Sequence, residues 1–412
     1  MNVLIINTSD INGGAAIAAY RLLDALKSSG VNAQMVVRDK LSDNKNVLKT
    51  GNNLINKFNF YHERGEIFLS NAFSRENLFE ISIAKRGIPI TETEEFKQAD
   101  IVHLHWINQG MLSVGEIKKI LSSGKKVVWT LHDMWPFTGI CHYAGDCTFY
   151  TDSCGNCPLL KGRSNNDLSR STYRRKMSAY SKGEINFVAC SNWLKEMALK
   201  SALTAGHYIS SIPNPINTDI YRPLSKSAIR KELNLPFDKK IILFAAAKAS
   251  DKRKGLDYLV EASHLLKNHS KDIIFLIAGN RSQEIEKKFA LPVISMGYIA
   301  PENMPALYNA ADLFVSPSLQ DNLPNTIMES MSCGTPCIGF NTGGIPQMID
   351  HLINGYISKY KDPQDLAKGI SWILFNNDIN QLKEYARKKV VENYSNEIVA
   401  RQYIEIYKNA RG

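Results

Sequence analysis

The sequence predicts an α/β protein made of two doubly wound, parallel-sheet domains, and three observations carry that expectation. Short runs rich in aliphatic and β-branched residues alternate with helical patterns from end to end, as in βαβ units. The cluster Ile212-Pro213-Asn214-Pro215-Ile216-Asn217 interrupts the alternation near mid-chain and reads as an interdomain linker. A length of 412 residues leaves each half large enough for a core of its own.

In the first half the strands are expected at Val3–Asn7, Gln34–Arg38, Ile101–Trp106, Lys126–Leu131 and Phe187–Ser191. Ala15–Ser28 repeats apolar residues at helical spacing, with Ile17, Tyr20, Leu23 and Leu26 on one face. Residues 41–98 mix helix and loop. In the second half Ile241–Ala246, Ile273–Ala278, Val293–Ile299, Leu313–Pro317 and Cys337–Phe340 read as strands between helices. Helical patterns cover 363–376 and 380–392, and a last helix follows Ser395 with Ile398, Tyr403, Ile404 and Tyr407 as its apolar residues. The expected domains are 1–212 and 219–393, with 394–412 a C-terminal helix packing back on the first. Ligands of such sheets bind beyond the carboxyl ends of the strands, so the two domains are expected to face a central cleft.

A hydrophobic fraction of 44% with 22% charged residues excludes disordered, collagenous and disulfide-miniprotein classes. No apolar run approaches the roughly 18 residues of a membrane span. The N-terminus reads as a strand without the basic region of a signal peptide, so a cytoplasmic protein is expected. The net charge of +10 is spread over both halves, whereas a nucleic-acid domain concentrates it; no nucleic-acid partner is expected. Two stretches depart from that evenness. Residues 161–182 hold Lys161, Arg163, Arg170, Arg174, Arg175, Lys176 and Lys182 against Asp167 alone, and residues 301–350 hold no Lys or Arg.

Three loops suit a phosphorylated ligand. Gly13-Gly14 follows the first strand and opens a helix, where glycine admits close approach and the helix start attracts an anion; a plain tight turn would use the same residues. Asp251-Lys252-Arg253-Lys254-Gly255 sets three cations before a helix, fit for a pyrophosphate or for solvent. Residues 320–330 carry Asp321 and Glu329, with a helix expected from near Pro324. Fully helical, that spacing spans about 12 Å along the axis. Both carboxylates can hydrogen-bond hydroxyls while the helix start faces phosphate; the alternative is an N-terminal acid and a surface glutamate.

Together these elements resemble the retaining, family-4 type glycosyltransferases of GT-B architecture, over essentially the whole chain. The matching positions are Gly13-Gly14, His132, Lys254-Gly255, Asp321…Glu329, Gly343-Gly344 and the final helix. A closer resemblance is to bacterial exopolysaccharide enzymes of the colanic-acid type, whose Trp-Thr-Leu-His-Asp and Cys-rich segment recur at 129–157. The resemblance implies sugar transfer from a UDP or GDP donor to a glycan acceptor on a lipid carrier, in exopolysaccharide, capsule or O-antigen synthesis. It assigns Glu329 to the nucleotide ribose, Asp321 to donor-sugar hydroxyls, and Lys254, with Arg253, to the diphosphate. His132 is placed beside the transferring sugar and Gly13 and Gly14 near the phosphates. Asn322, Leu323, Asn325 and Thr326 belong to the donor loop, while Gly343, Gly344 and His105 are acceptor-side or loop candidates. His132, Lys254 and Asp321 form the catalytic set. The chain departs from the family at Asp321, where glutamate is usual, and at Leu323-Pro324, where an aromatic-Gly pair is usual. Lys248 or Arg253 has to replace an arginine that usually precedes the lysine.

Four cysteines form Cys141-x5-Cys147-x6-Cys154-x2-Cys157 within an insertion at 139–160. In a reducing compartment such spacing points to a structural Zn²⁺ held by thiolates; free or oxidised thiols and a redox role are the alternatives. Cys190, Cys333 and Cys337 read as core. His103 and His105 alternate along one strand and read as core histidines, with one able to point into the cleft.

No cofactor is expected for catalysis, since lysine, arginine and helix dipoles can stabilise a leaving diphosphate. The basic stretch 161–182 suits an anionic membrane surface; its alternative is an amphipathic helix with Tyr173, Met177 and Tyr180 turned inward. A sugar-nucleotide epimerase or phosphorylase, or a non-catalytic binder, would share the scaffold.

Overall fold

Two wholly parallel sheets organise the computed structural model, which describes residues 1–375 and 378–410. Residues 376–377 of the expected domain 219–393, the first also closing its helical stretch 363–376, and residues 411–412 of the expected segment 394–412 lie outside the described residues. One unit comprises Met1–Pro215 and the chain from Val399 on, the other Ile216–Ile398.

The first unit holds β1 (Asn2–Ser9), β2 (Asn32–Asp39), β3 (Val47–Lys49), β4 (Ile101–Leu104), β5 (Lys126–Leu131), β6 (Asn186–Ala189) and β7 (Tyr208–Ser211), in the order β3-β2-β1-β4-β5-β6-β7. Strand order reverses between β1 and β4, where Val3 pairs with both Ala33 and Ile101; ligands gather at such a point. The two edge strands are short and escape a reading based on apolar runs. The helix Gly14–Ser28 covers the sheet with Ala19, Leu22, Leu23 and Leu26, while Ile17 and Tyr20 are only half-buried. Its buried face is thus rotated from the expected one, because Ala16, Ala18 and Ala19 let the backbone approach the strands. The last helix, Asn396–Asn409, buries Val399, Ala400, Tyr403 and Tyr407 within the first unit's core, leaving Ile398 and Ile404 partly exposed.

The helix Asn53–Ser70 is inverted in polarity. It buries Asn56, Asn59, Glu63 and Arg64 and exposes Leu54 (78%), Tyr61 (67%), Ile55, Phe58 and Leu69. Glu63 pairs with Arg64 at 3.0 Å and accepts the Ile83 and Ala84 N–H groups. The helix is therefore anchored by polar contacts rather than by an apolar stripe.

In the basic stretch, Asp167 caps the helix Leu168–Tyr180. Tyr173 and Tyr180 turn inward, as the amphipathic-helix alternative has them, but Met177 is 40% exposed and Lys176 is fully buried in its stead. Arg170 donates to Cys154 O at 3.0 Å and Arg175 to Ile83 O at 2.7 Å. Several of these cations thus serve the protein's own backbone.

The second unit holds β8 (Lys240–Lys248), β9 (Ile273–Asn280), β10 (Val293–Gly297), β11 (Leu313–Ser316), β12 (Cys337–Phe340) and β13 (Gly355–Ser358), in the order β10-β9-β8-β11-β12-β13. Its reversal lies between β8 and β11. Ile242, Phe244, Phe275, Val315, Ile338 and Ile370 build the core. Gly355 in β13 abuts the Cys337 carbonyl, where a Cβ would stand 2.2 Å away.

Candidate active site

The loops after β8, β11 and β12 bring the residues singled out in the second half into contact. Lys254 Nζ donates to Asp321 Oδ2 at 2.6 Å, and Arg253 Nη1 lies 3.9 Å from the same oxygen. Arg253 also donates to Gln320 O at 2.9 Å. The loops meet through glycines in the left-handed region. A Cβ on Gly255 (φ 68°) would stand 1.8 Å from Pro317 O, and one on Gly343 (φ 57°) 1.8 Å from Asp321 O. Gly344 N–H then donates to Asp321 O at 3.3 Å. Only glycine tolerates both the conformation and the approach.

The helix Asn325–Ser332 begins just after Pro324 and carries Glu329 in its second turn. Glu329 is 6% exposed and accepts a hydrogen bond from Tyr308 Oη at 2.7 Å. Burial, and then the Glu329 charge, push the Tyr308 pKa well up, so the phenol stays a donor. Asn322 and Leu323 are buried, whereas Asn325 and Thr326 at the helix start are partly exposed.

In the first unit Gly13 caps the helix Gly14–Ser28 with φ 99°, and both glycines are exposed. No atom lies within 4 Å of where a Gly13 Cβ would stand, so a ligand can reach the backbone there. His105 follows β4 and His132 follows β5; Nδ1 of the first and Nε2 of the second share a hydrogen bond at 2.9 Å. His132 Nδ1 is 3.6 Å from Cys190 Sγ. His105 is 3% exposed and reaches the surface through the partly exposed His132. His103, fully buried, bonds Tyr407 Oη and Thr130 Oγ1, each at 2.7 Å.

Burial keeps all three rings neutral. It pushes His132 down to about 4 against the opposing charge of Asp133, and His103 to about 3 with help from His132. His105 also falls well below the usual range, through burial and then its two histidine neighbours.

Other groups carried no motif. Asp10, fully buried after β1, accepts the Leu41 N–H at 2.9 Å and the Ser42 N–H at 2.8 Å. Burial raises its pKa, but its hydrogen bonds, that to Ser42 foremost, hold it below the ordinary value. Asp133 accepts from Trp106 Nε1 at 2.8 Å and bonds His142 Nδ1 at 2.6 Å, while His142 Nε2 reaches Ser82 Oγ at 3.1 Å. All three members of this Ser–His–Asp chain are buried, so it orients the loop carrying His132. The adjacency His132-Asp133 was its one sequence signal; Ser82 had none.

Known proteins share these two halves. The profile described as Glycosyltransferase Family 4 matches residues 12–220. The chain belongs to that glycosyltransferase family. A second profile, Glycosyl transferases group 1, matches 225–389. An uncharacterised glycosyltransferase of Methanocaldococcus jannaschii is 25% identical over 360 residues, 81% of this chain and 90% of that one. The chain spans about half the length of several further curated relatives. Sucrose-phosphate synthase of Thermosynechococcus elongatus has the same fold, with TM-score 0.70, 18% identity and coverage of 99% and 98% of the two chains. The HepE protein of Anabaena, solved with UDP and glucose, gives TM-score 0.66 at 15% identity, covering 99% of each chain. The glycosyltransferase thus has the GT-B fold, with two Rossmann-like units. Among the described residues no helix is long and apolar enough to cross a membrane.

Proposed function

We propose that this glycosyltransferase, a family-4 enzyme of the retaining class, moves a sugar from a UDP- or GDP-sugar to a hydroxyl of a lipid-linked glycan in cell-surface polysaccharide synthesis. One observation carries the reading: Lys254, Asp321 and the Gly343-Gly344 loop converge at the carboxyl ends of β8, β11 and β12, where sheets of this kind hold nucleotides. Lys254, seconded by Arg253, takes the diphosphate in competition with Asp321. Asp321 is then released toward the donor-sugar hydroxyls, and Glu329, braced by Tyr308, takes the ribose. In the first unit, taken by itself, the family resemblance assigns Gly13-Gly14 to phosphate and His132, braced by His105, to sugar.

The acceptor oxygen forms a bond to the anomeric carbon as the bond from that carbon to the diphosphate breaks. The acceptor proton passes to the leaving phosphate oxygen on the same face. Glu329 is committed to Tyr308 and Asp321, once released from Lys254, to donor-sugar hydroxyls, which argues against either as a double-displacement nucleophile. The Anabaena complex favours UDP. A thermal-shift panel of UDP-, GDP-, ADP- and dTDP-sugars tests the donor: stabilisation by one nucleotide class is expected, and stabilisation by none would defeat the reading. Donor turnover without any acceptor would instead indicate an epimerase, and binding without turnover across acceptors a non-catalytic protein.

The acceptor's lipid carrier places the enzyme at an anionic bilayer. The support is the inverted helix Asn53–Ser70, whose outward apolar residues continue into exposed Phe73 and Phe79, with Arg86 5.4 Å from the Phe58 ring centre. Apolar side chains rimmed by cations suit anionic lipid. Flotation with vesicles containing anionic lipid is expected to carry the wild type and to lose Ile55→Asp/Phe58→Asp; equal flotation of both would refute this surface.

A further inference from the structure

Four cysteines that the transfer chemistry does not use lie together in the first unit. Cys141, Cys147, Cys154 and Cys157 line one cavity of about 20 Å³, room for a single water or ion. Its other walls are largely apolar, among them Ile140, Ala144 and Tyr150. None of the four is in a disulfide. We propose that these four cysteines hold a structural zinc ion as thiolates.

Two further features support the assignment. The segment 154–157 is a tight knuckle: Cys154, Gly155 and Asn156 all have positive φ (50°, 119° and 47°), so the chain doubles back and turns Cys154 and Cys157 to one cavity. The Gly139 N–H donates to Cys154 Sγ at 3.2 Å, a contact that steadies a metal-bound thiolate.

The second feature is a buried lysine behind the knot. Lys176 is fully buried, with Nζ 3.4 Å from the Trp135 ring centre and donating to Thr138 O at 3.0 Å, and Thr138 in turn donates to Cys141 O at 2.6 Å, so the loop carrying the first cysteine is pinned by hydrogen bonds.

As the side chains stand, no group of three or more His, Cys, Asp or Glu among the described residues is placed to hold a metal ion. The ion therefore has to draw the sulfurs in to about 2.3 Å. A closed set of four protein ligands leaves no position for substrate, so the metal's work is structural. Cys141 precedes His142, which bonds Asp133, the neighbour of His132. The knot fixes the loop behind the first unit's site.

The test uses the full chain purified without a histidine tag under reducing conditions. About one zinc per chain by elemental analysis is expected, released as the thiols are titrated with a mercurial. X-ray absorption at the zinc edge is expected to show four sulfur neighbours, which does not depend on any variant folding. Cys154→Ser/Cys157→Ser is expected to lose the metal. Its melting temperature, and turnover where it remains folded, should also fall. Zinc-free wild type with four titratable thiols, two disulfides by mass spectrometry, or a zinc shell dominated by nitrogen and oxygen would each overturn the proposal.

Discussion

The two units use one architecture and present opposite chemistry at their strand ends. In the second, a partly exposed lysine and arginine face a carboxylate. In the first, three imidazoles are stripped of charge by burial and joined to one another and to two tyrosines of the last helix. Fixed charge is suited to a diphosphate, whose charge grows as it leaves. Neutral rings in a dry setting are suited to orienting hydroxyls without attracting anions. The same fold thus divides the work by desolvation as much as by residue type.

Exchanging one residue from each cluster is the strongest way to break that division. Lys254→Ala is expected to cost about 10²–10³-fold in turnover, as for loss of a preorganised group at a developing charge. Its melting temperature should stay within a few degrees of wild type, because a partly exposed ion pair contributes little. His132→Gln, which can still hydrogen-bond His105, is expected to cost about 10-fold. Progress curves of nucleotide release measure both. If the histidine variant proves the more damaged, the charged cluster does not dominate and the assignment reverses.

The glycines sharpen the comparison at a smaller scale. Gly343→Ala forces a methyl group onto the Asp321 carbonyl, so the loop has to shift and carry Asp321 with it. A loss of about 2–3 kcal/mol in stability and a fall in kcat are expected. Gly13→Ala meets open space and bears only the strain of φ 99°, roughly 1–3 kcal/mol. Its methyl group reaches only what binds there, so a raised donor KM with a nearly unchanged kcat is expected. Equal kcat losses in the two variants would show that Gly13 too is held by packing.

These pairs also show what was legible before any coordinates. Interior strands were found because parallel sheets buried on both faces are written as continuous apolar runs; β3 and β7, at the edges, are largely half-exposed and partly polar (Val-Leu-Lys and Tyr-Ile-Ser-Ser), so no such run marks them. Lys254, Asp321 and Gly343 stood out because they sit in charged or glycine-bearing loops after strands and match positions of the family resemblance. That Lys254 and Asp321 form one ion pair depends on which loops meet across the sheet, which strand order decides and local pattern does not. Tyr308, Asp10 and Ser82 are ordinary residues in ordinary contexts and acquire a role only through distant partners. The inverted helix Asn53–Ser70 defeated periodicity for a related reason: its moment is real, but its apolar side points outward.

The last contrast is in the stability of the first unit against pH. An unfolded histidine takes its proton near 6.5, while His132 and His103 in the fold resist it down to about 4 and about 3. Between those values the unfolded chain binds more protons than the native one, so stability rises with pH. It is complete above about 6.5 and is lost as pH falls toward 4, by roughly 3 kcal/mol for His132 alone. The lowered Asp10 and Asp133 carboxyls act in the same direction but only as pH passes below about 4, so the two effects separate in a titration. Melting temperatures from pH 7.5 to 4.5 are expected to fall for the wild type, and His103→Gln, which can still hydrogen-bond Tyr407 or Thr130, is expected to flatten the curve. The slope difference, rather than absolute stability, is the discriminating readout, because any core substitution lowers the melting temperature at every pH. A variant that melts lower yet keeps the wild-type slope would show that His103 is solvated enough to protonate in place, and the contrast between a charged and an uncharged strand end would then rest on His132 and His105.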